Sequence, residues 1–100
     1  KSRVGIMIKI ELKKIPNQSL VFENNTTRFE IKLNCVGDAM VATIKKNDIE
    51  VLSGVMIVAG VPLIPYPHLA TDGNFIIYTV NNEIPHWSKF EQTQELYYYD

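Results

Sequence analysis

Strict alternation of apolar and polar residues along residues 27–36 constrains this chain more than any other feature. Apolar side chains occupy every second position and polar ones fill the gaps: Phe29, Ile31, Leu33 and Cys35 against Arg28, Glu30, Lys32 and Asn34. Because successive side chains of an extended strand point to opposite faces, this pattern predicts a half-buried β-strand. We expect Phe29, Ile31 and Leu33 to point into a core, and the turn signal Gly37-Asp38 to end the strand.

The same period of two recurs along most of the chain, between residues that favour turns. Further strands are predicted over residues 8–13, 20–23, 40–45, 49–58, 75–80 and 95–99, with one helical turn around residues 88–92. Since no segment shows a sustained period of 3.6 residues, the sequence predicts an all-β fold of about six to eight short strands. A small antiparallel barrel and a sandwich both fit this pattern.

A chain of 100 residues has room for one small domain, which we expect to span residues 1–100. Met7 stands directly before the first alternating run. Residues 1–6 are therefore expected to be either an expression scar ahead of a native start at Met7, or a flexible N-terminal arm. The start of the sequence has no apolar stretch followed by a small-residue cleavage site, so no signal peptide is predicted.

Residues 51–71 form a long stretch without any charged side chain. Its length would suffice for a bilayer span, but Pro62, Pro65 and Pro67 would break a helix there, so we predict no membrane partner. The apolar residues around Val55 and Met56 fall on both faces of the predicted strand. We therefore expect this strand to be buried on both sides or covered by a partner, and to lead into a Pro-rich loop.

The residues that carry most enzyme and metal chemistry are few and scattered. Cys35 is the single cysteine, and its place in an alternating run predicts a small buried hydrophobe rather than a reactive thiol. His68 and His86 lack the short spacing of a metal-binding pair, and Ser53 and Ser88 lack the sequence context of a catalytic nucleophile. We therefore predict no catalytic, cofactor-binding or metal-binding residues.

Charge is nearly balanced over the whole chain but unevenly distributed along it. Ten basic and eleven acidic side chains leave a formal net charge of −1, which argues against a nucleic-acid partner. Residues 1–14 carry five basic residues and one acidic residue, whereas residues 81–100 carry four acidic residues and one basic residue. Two interpretations fit this asymmetry: pairing of the terminal strands within one chain, or contact with other molecules, either head-to-tail between copies or onto oppositely charged neighbours.

Large apolar and aromatic side chains in predicted surface positions are candidates for contacts with other proteins. The Pro-rich loop at residues 62–69 is expected at the surface, where its prolines lower the entropy cost of docking. In the last predicted strand, Tyr97 and Tyr99 share one face while Leu96 and Tyr98 share the other. The candidate interface residues are Pro62, Leu63, Pro65, Tyr66, Pro67, Leu69, Tyr97 and Tyr99.

The order of several short motifs resembles that of a known family. The motifs are Gly60-Val61-Pro62-Leu63, Tyr66-Pro67-His68-Leu69, the strand Phe75-Ile76-Ile77-Tyr78 and a closing Glu95-Leu96-Tyr97-Tyr98. Over residues 17–100 the chain resembles the baseplate plug family of contractile-tailed bacteriophages. Two positions depart from the family pattern: Met40-Val41-Ala42 stands where members often carry a tryptophan, and Pro65-Tyr66-Pro67 replaces a common glycine.

This resemblance implies a non-enzymatic β-domain, without a cofactor, at the centre of a phage tail baseplate. There it would plug or stiffen the channel between the tail tube and the hub or spike. The implied partners are baseplate hub, tail-tube or spike proteins, with several copies in a symmetric ring or hub. The implied location is the virion tail baseplate, after assembly in the host cytoplasm. Two alternatives stay open: another β-rich virion module, such as a connector, tail-tube component or chaperone, and a small ligand-binding barrel or enzyme.

Overall fold

The structure is a computed structural model that describes residues 7–24, 27–66 and 73–99. Within these ranges the chain forms seven strands: β1 (Met7–Ile10), β2 (Gln18–Asn24), β3 (Thr27–Val36), β4 (Ala39–Lys46), β5 (Ile49–Met56), β6 (Asn74–Thr79) and β7 (Gln94–Tyr99). Two short 3-10 helices, Val80–Asn82 and Trp87–Lys89, lie between β6 and β7. In this part of the chain, no helix has the length and hydropathy needed to cross a membrane. The predicted all-β fold is confirmed.

The strands form two antiparallel sheets that share one core. One sheet has the order β2-β3-β4-β5 and the other the order β1-β7-β6. Phe29 and Leu33 of the first sheet and Leu96 and Tyr98 of the second belong to the same cluster of buried side chains. The strands that the structure describes do not close into a barrel. Of the two architectures that the sequence left open, a barrel and a sandwich, the structure is therefore the sandwich.

The central strand β3 has the bounds that its alternation predicts. Phe29, Ile31 and Leu33 are each at most 1% exposed, which confirms that they point inward. The neighbouring strand β4 returns into β5 through a two-residue turn, in which Asn47 and Asp48 both have positive φ. Asparagine and aspartate tolerate this left-handed backbone better than most residues, so the local sequence suits the hairpin.

Four aromatic rings meet where the two sheets face each other: Phe22, Phe29, Phe75 and Tyr98. Their centroid separations run from 4.5 Å for Phe22–Tyr98 to 6.5 Å for Phe22–Phe29, the range of favourable aromatic pairs. Gly73 lies against Tyr98, and a Cβ at this position would overlap the tyrosine ring. Its φ of +115° is also rare for residues with a side chain, so both features require glycine immediately before β6.

Strand β5 is more exposed than predicted. Leu52 is its single buried residue, whereas Val55 and Met56 are exposed, so the expectation of a strand buried on both faces is wrong. The reason is that β5 belongs to a two-sheet sandwich, in which the core covers one face of each strand, and no described segment covers the other face of β5; as an edge strand it also pairs only with β4. Register shifts against β4 and a positive φ at Gly54 mark this edge as irregular, which hinders pairing with further strands.

Two smaller predictions also need correction. Strand β1 ends at Ile10 instead of continuing to residue 13, because the backbone N–H of Leu12 donates to the Glu91 carboxylate and not to a neighbouring strand. Leu12 is nevertheless buried, as the alternation suggests. Cys35 is half-buried and not fully buried, since it lies near the end of β3, and its Sγ donates to the Gly37 carbonyl oxygen at 3.2 Å.

Residues 57–66, here called the crossing segment, carry the chain from one sheet to the other. The N–H of Ile57 donates to Met40 of the first sheet, while those of Gly60 and Leu63 donate to carbonyl oxygens of β6 in the second sheet. The side chain of Asn74 holds both the N–H and the carbonyl of Ile64, at 2.9 and 2.7 Å. The crossing segment therefore covers the outer edge of β6 and closes one side of the sandwich.

Candidate interaction surfaces

An exposed apolar surface, here called the apolar edge, lies where β5 leaves its sheet. It is formed by exposed side chains of β5, the crossing segment and the loop after β6: Met56, Val58, Val61, Pro62, Pro65 and Ile84. A depression of about 330 Å³ lies between the Met56–Val58 backbone and Ile84, and another of about 100 Å³ lies between it and Pro65. Grouped exposed apolar side chains of this kind are typical of protein contact sites.

Ile84 is the most exposed large apolar residue of the described chain, at 76%. Its loop is held by Gln94, a fully buried glutamine at the start of β7. The Gln94 amide donates from Nε2 to the Ile84 carbonyl at 2.9 Å and accepts from the His86 N–H at 2.8 Å. The loop backbone around Ile84 is thus held from the core side by two hydrogen bonds, while the Ile84 side chain is exposed to solvent.

Charged groups are nearly absent from the apolar edge. Residues 53–66 and 80–87 together contain one charged side chain, Glu83. Its carboxylate accepts hydrogen bonds from Thr93 Oγ1 at 2.8 Å and from Lys89 Nζ at 3.1 Å. These two bonds lower the pKa of Glu83, so its charge persists at neutral pH and is balanced by Lys89. A protein that covers the apolar edge therefore needs no charge opposite it.

A second surface, here called the tyrosine face, lies on the outer side of the three-stranded sheet. Tyr97 and Tyr99 alternate with the buried Leu96 and Tyr98, which confirms their predicted faces. Tyr78 of β6 belongs to the same face, and its ring packs edge-on against Tyr97 at 5.6 Å. Burial, and then the neighbouring Tyr78, raise the pKa of Tyr99.

The tyrosine face is bordered by an ion-pair cluster, here called the Lys9 clasp. Lys9 Nζ lies 2.7 Å from a Glu91 oxygen and 3.3 Å from a Glu95 oxygen. Hydrogen bonds to Glu91 and then to Glu95 raise the pKa of Lys9. The Tyr97 hydroxyl donates to Glu95 at 2.7 Å, and this bond, followed by that from Lys9, lowers the pKa of Glu95. The same bond to Glu95 raises the pKa of Tyr97.

Within the described residues, the Lys9 clasp also brings a basic residue of the N-terminal strand together with acidic residues near the C-terminus. Strand β1 pairs with β7 of the same chain, with Met7 opposite Tyr99 and Ile10 opposite Leu96. The basic N-terminal strand and the acidic C-terminal strand are therefore neighbours, as in the first of the two interpretations of the sequence.

The predicted interface residues are divided between these two surfaces. Pro62 and Pro65 lie on the apolar edge and Tyr66 is exposed beside them, whereas Tyr97 and Tyr99 are half-buried on the tyrosine face. Leu63 is different: it is 5% exposed and belongs to the core, because its backbone is bonded to β6 and its side chain points inward. The predicted contacts Pro67 and Leu69 lie outside the described residues. Whether the remaining residues contact a partner stays a prediction.

Sequence reasoning did not single out Met56, Ile84 or Tyr78 as surface residues. The charge-free stretch at residues 51–71 contains a signal for Met56, which fits both burial on two faces and cover by a partner. Alternation along Asn74–Thr79 puts Tyr78 on the face away from Phe75 and Ile77, but Asn74 and Ile76 on its own face are buried, so alternation alone does not predict its exposure. For Ile84, the neighbouring Asn81, Asn82 and Pro85 indicate a loop, but they do not predict that this side chain is exposed.

His86 and Ser88, two of the side chains that could take part in enzyme or metal chemistry, are engaged in structural contacts. His86 Nδ1 lies 2.7 Å from Ser88 Oγ and accepts the Ser88 N–H at 3.2 Å, so it caps the second 3-10 helix. Within residues 7–24, 27–66 and 73–99, no group of three or more histidine, cysteine, aspartate or glutamate side chains is placed to hold a metal ion. His68 lies outside the described residues.

Comparison with models of protein families identifies a match. The family model described as cyanophage baseplate Pam3 plug gp18 matches residues 7–100, which include all seven strands, the apolar edge and the tyrosine face. None of the curated proteins matches the chain.

Proposed function

The chain belongs to the cyanophage baseplate plug family, and from this membership we propose that it is a non-enzymatic plug or adaptor at the central channel of a phage tail baseplate. In this role it sits between the tail tube and the hub or spike. The observation that carries the proposal is the family match over residues 7–100. The sequence resemblance over residues 17–100 points to the same role from individual motifs.

The apolar edge supplies the physical means of docking in this proposal. Each Å² of apolar surface removed from water contributes roughly 25 cal/mol, so an exposed patch of several hundred Å² contributes on the order of 10 kcal/mol. Association costs a comparable amount in lost translational and rotational freedom. Rigid presentation therefore matters, and Pro62, Pro65 and the Gln94-bonded loop around Ile84 reduce the further cost of ordering the surface on binding.

The proposed contact residues follow from the two surfaces. On the apolar edge and beside it they are Met56, Val58, Pro62, Pro65, Tyr66 and Ile84, and on the tyrosine face they are Tyr97 and Tyr99. Pro67 and Leu69 are retained from the sequence prediction. We propose that hub, tail-tube or spike proteins cover these residues, and that several copies are arranged symmetrically in the virion after assembly in the host cytoplasm.

The test compares two valines of nearly equal exposure on different surfaces. Val58 lies on the apolar edge and is 51% exposed, whereas Val21 lies on β2 and is 54% exposed. A lysine at either site stays solvated in the isolated domain, so both variants should fold. In particles assembled from a phage lacking the wild-type gene, Val58→Lys should reduce incorporation by about tenfold or more, because docking would bury an unpaired charge. Val21→Lys should leave incorporation within about twofold.

Electron microscopy of the assembled tail supplies the second readout. The expected result is density for this chain on the tail axis at the baseplate, with the apolar edge covered by a neighbouring protein. Density elsewhere in the particle, or normal incorporation of Val58→Lys, would show that the proposed role is wrong.

A further inference from the structure

The tyrosine face differs from the apolar edge in carrying charge next to its aromatic rings. Tyr78 lies directly opposite Glu95 in the pairing of β6 with β7, and Tyr97 follows Glu95 by two positions on the same strand. All three side chains therefore project from the same side of the sheet. Tyr78 is 45% exposed, so its ring is open to a partner.

Among the described residues, the Lys9 clasp pairs two negative charges with one positive charge. Two carboxylates, Glu91 and Glu95, share the single ammonium of Lys9, and the shorter contact is the one to Glu91, 2.7 Å against 3.3 Å. Glu95 is thus the less neutralised of the two. A carboxylate has about four acceptor positions. The Tyr97 hydroxyl and the longer contact to Lys9 account for two of those on Glu95.

Aromatic faces and an incompletely paired carboxylate attract the same kind of group, a cation. A ring carries partial negative charge on its face and binds a cation placed above it. Guanidinium suits both features, because its plane stacks on a ring while its fork of N–H donors binds a carboxylate in two places. An anionic partner would be repelled by Glu95, and a purely apolar partner would bury that carboxylate with only the shared charge of Lys9 and the Tyr97 hydroxyl to compensate it.

We propose that the tyrosine face is a second docking surface, which takes an arginine side chain of a neighbouring protein, stacked on Tyr78 and bonded to Glu95. The neighbour's identity as a baseplate protein rests on the proposed function, whereas the recognition of arginine does not. The two surfaces would then contribute differently to binding. The apolar edge supplies most of the buried apolar area, and the tyrosine face selects the partner by charge.

The test is a titration of the isotopically labelled domain, observed by NMR, with the peptide acetyl-Gly-Arg-Gly-Arg-Gly-amide. A matched peptide with uncharged citrulline in place of arginine controls for shape and hydrogen-bonding capacity. The arginine peptide should bind with a dissociation constant in the range of about 1–10 mM and shift the amide signals of Tyr78, Glu95 and Tyr97. The citrulline peptide should bind roughly fivefold more weakly or worse.

Variants of the two recognition groups locate the site. Glu95→Gln and Tyr78→Leu should each weaken binding by roughly two- to fivefold, while Tyr78→Phe, which keeps the ring, should leave it nearly unchanged. The control is Glu50→Gln, since Glu50 is an exposed carboxylate opposite Lys45 in the other sheet. Circular dichroism of each variant verifies the fold.

Three results would overturn the proposal: equal binding of the arginine and citrulline peptides, signal shifts confined to other parts of the domain, or no binding at about 50 mM peptide. An apolar peptide that binds this face better than the arginine peptide would count against it in the same way. None of these results bears on the incorporation of Val58→Lys into particles, so failure here is distinguishable from failure of the proposed function.

Discussion

Replacing Gln94 with methionine tests whether the buried amide holds the Ile84 loop in place. Methionine has nearly the same length and shape as glutamine but neither donates nor accepts strongly, so Gln94→Met removes two hydrogen bonds without creating a cavity. The Ile84 carbonyl and the His86 N–H, which now bond to Gln94 at 2.9 and 2.8 Å, would both lose their partner.

The expected loss in free energy of unfolding follows from the Ile84 carbonyl and the His86 N–H, which lose their partner. Leaving a buried polar group without a hydrogen bond costs about 1–3 kcal/mol, and the more apolar methionine regains part of that on burial. We expect a net loss of about 2–3 kcal/mol, a large share of the roughly 5–10 kcal/mol that stabilise a domain of this size. In thermal unfolding this corresponds to a midpoint lower by about 10–20 °C.

Urea and thermal unfolding can be followed through the fluorescence of Trp87, the single tryptophan, which lies next to the loop. The matched control is Gln92→Met, because Gln92 is exposed in the turn before β7 and its replacement should cost less than about 0.5 kcal/mol. Hydrogen exchange adds a local readout, since the His86 amide should exchange faster in Gln94→Met. Equal losses for the two variants, or unchanged protection of that amide, would refute this role of Gln94.

Three further predictions concern the core, a glycine and the Lys9 clasp. Leu33→Ala should cost about 2–5 kcal/mol in urea unfolding and Lys32→Ala less than about 0.5 kcal/mol, because only Leu33 is buried; equal costs would contradict the inward face of β3. Gly73→Ala should lower the melting midpoint far more than Gly37→Ala, since a Cβ meets a buried ring at the first site and nothing within 4 Å at the second. Hydrogen bonds lower the pKa of Glu95 in the folded domain below its ordinary value of 4.5. The clasp therefore stabilises β1 fully at pH values above 4.5. This stabilisation is lost as the pH falls through the lower pKa of the folded state. The protection factors of the β1 amides, measured by NMR as exchange rates relative to the intrinsic rate at each pH, should therefore fall on acidification, and protection that does not change with pH would contradict the clasp.

Much of the fold was predictable because strand formation and facing depend on short-range pattern. The alternation over Thr27–Val36 specified both the bounds of β3 and its inward side chains. The same reasoning put Tyr97 and Tyr99 on one face of β7 and Leu96 and Tyr98 on the other, and the structure buries the second pair. In each case two or three neighbouring residues suffice, because a strand repeats every two positions.

The candidate surfaces were predicted less completely, because exposure depends on which strands become neighbours. Pro62, Pro65 and Tyr66 were placed correctly at the surface, whereas Leu63 was not, since its burial requires the crossing segment to bond to β6. Nothing local to Ile84 indicates that a glutamine ten residues later fixes its loop.

The sequence by itself determined the β-class and the alternating faces of β3 and β7, since these depend on residue type and short spacing. Only the tertiary structure decided that β5 is an exposed edge, that β1 and β7 pair through the Lys9 clasp, and that Tyr78, Glu95 and Tyr97 share one face. The physical reason is that strand order and register arise from pairing between residues far apart in the chain. An apolar side chain of a strand is buried where the other sheet or a covering segment lies over it, as in β6, and exposed where nothing covers it, as at the end of β5.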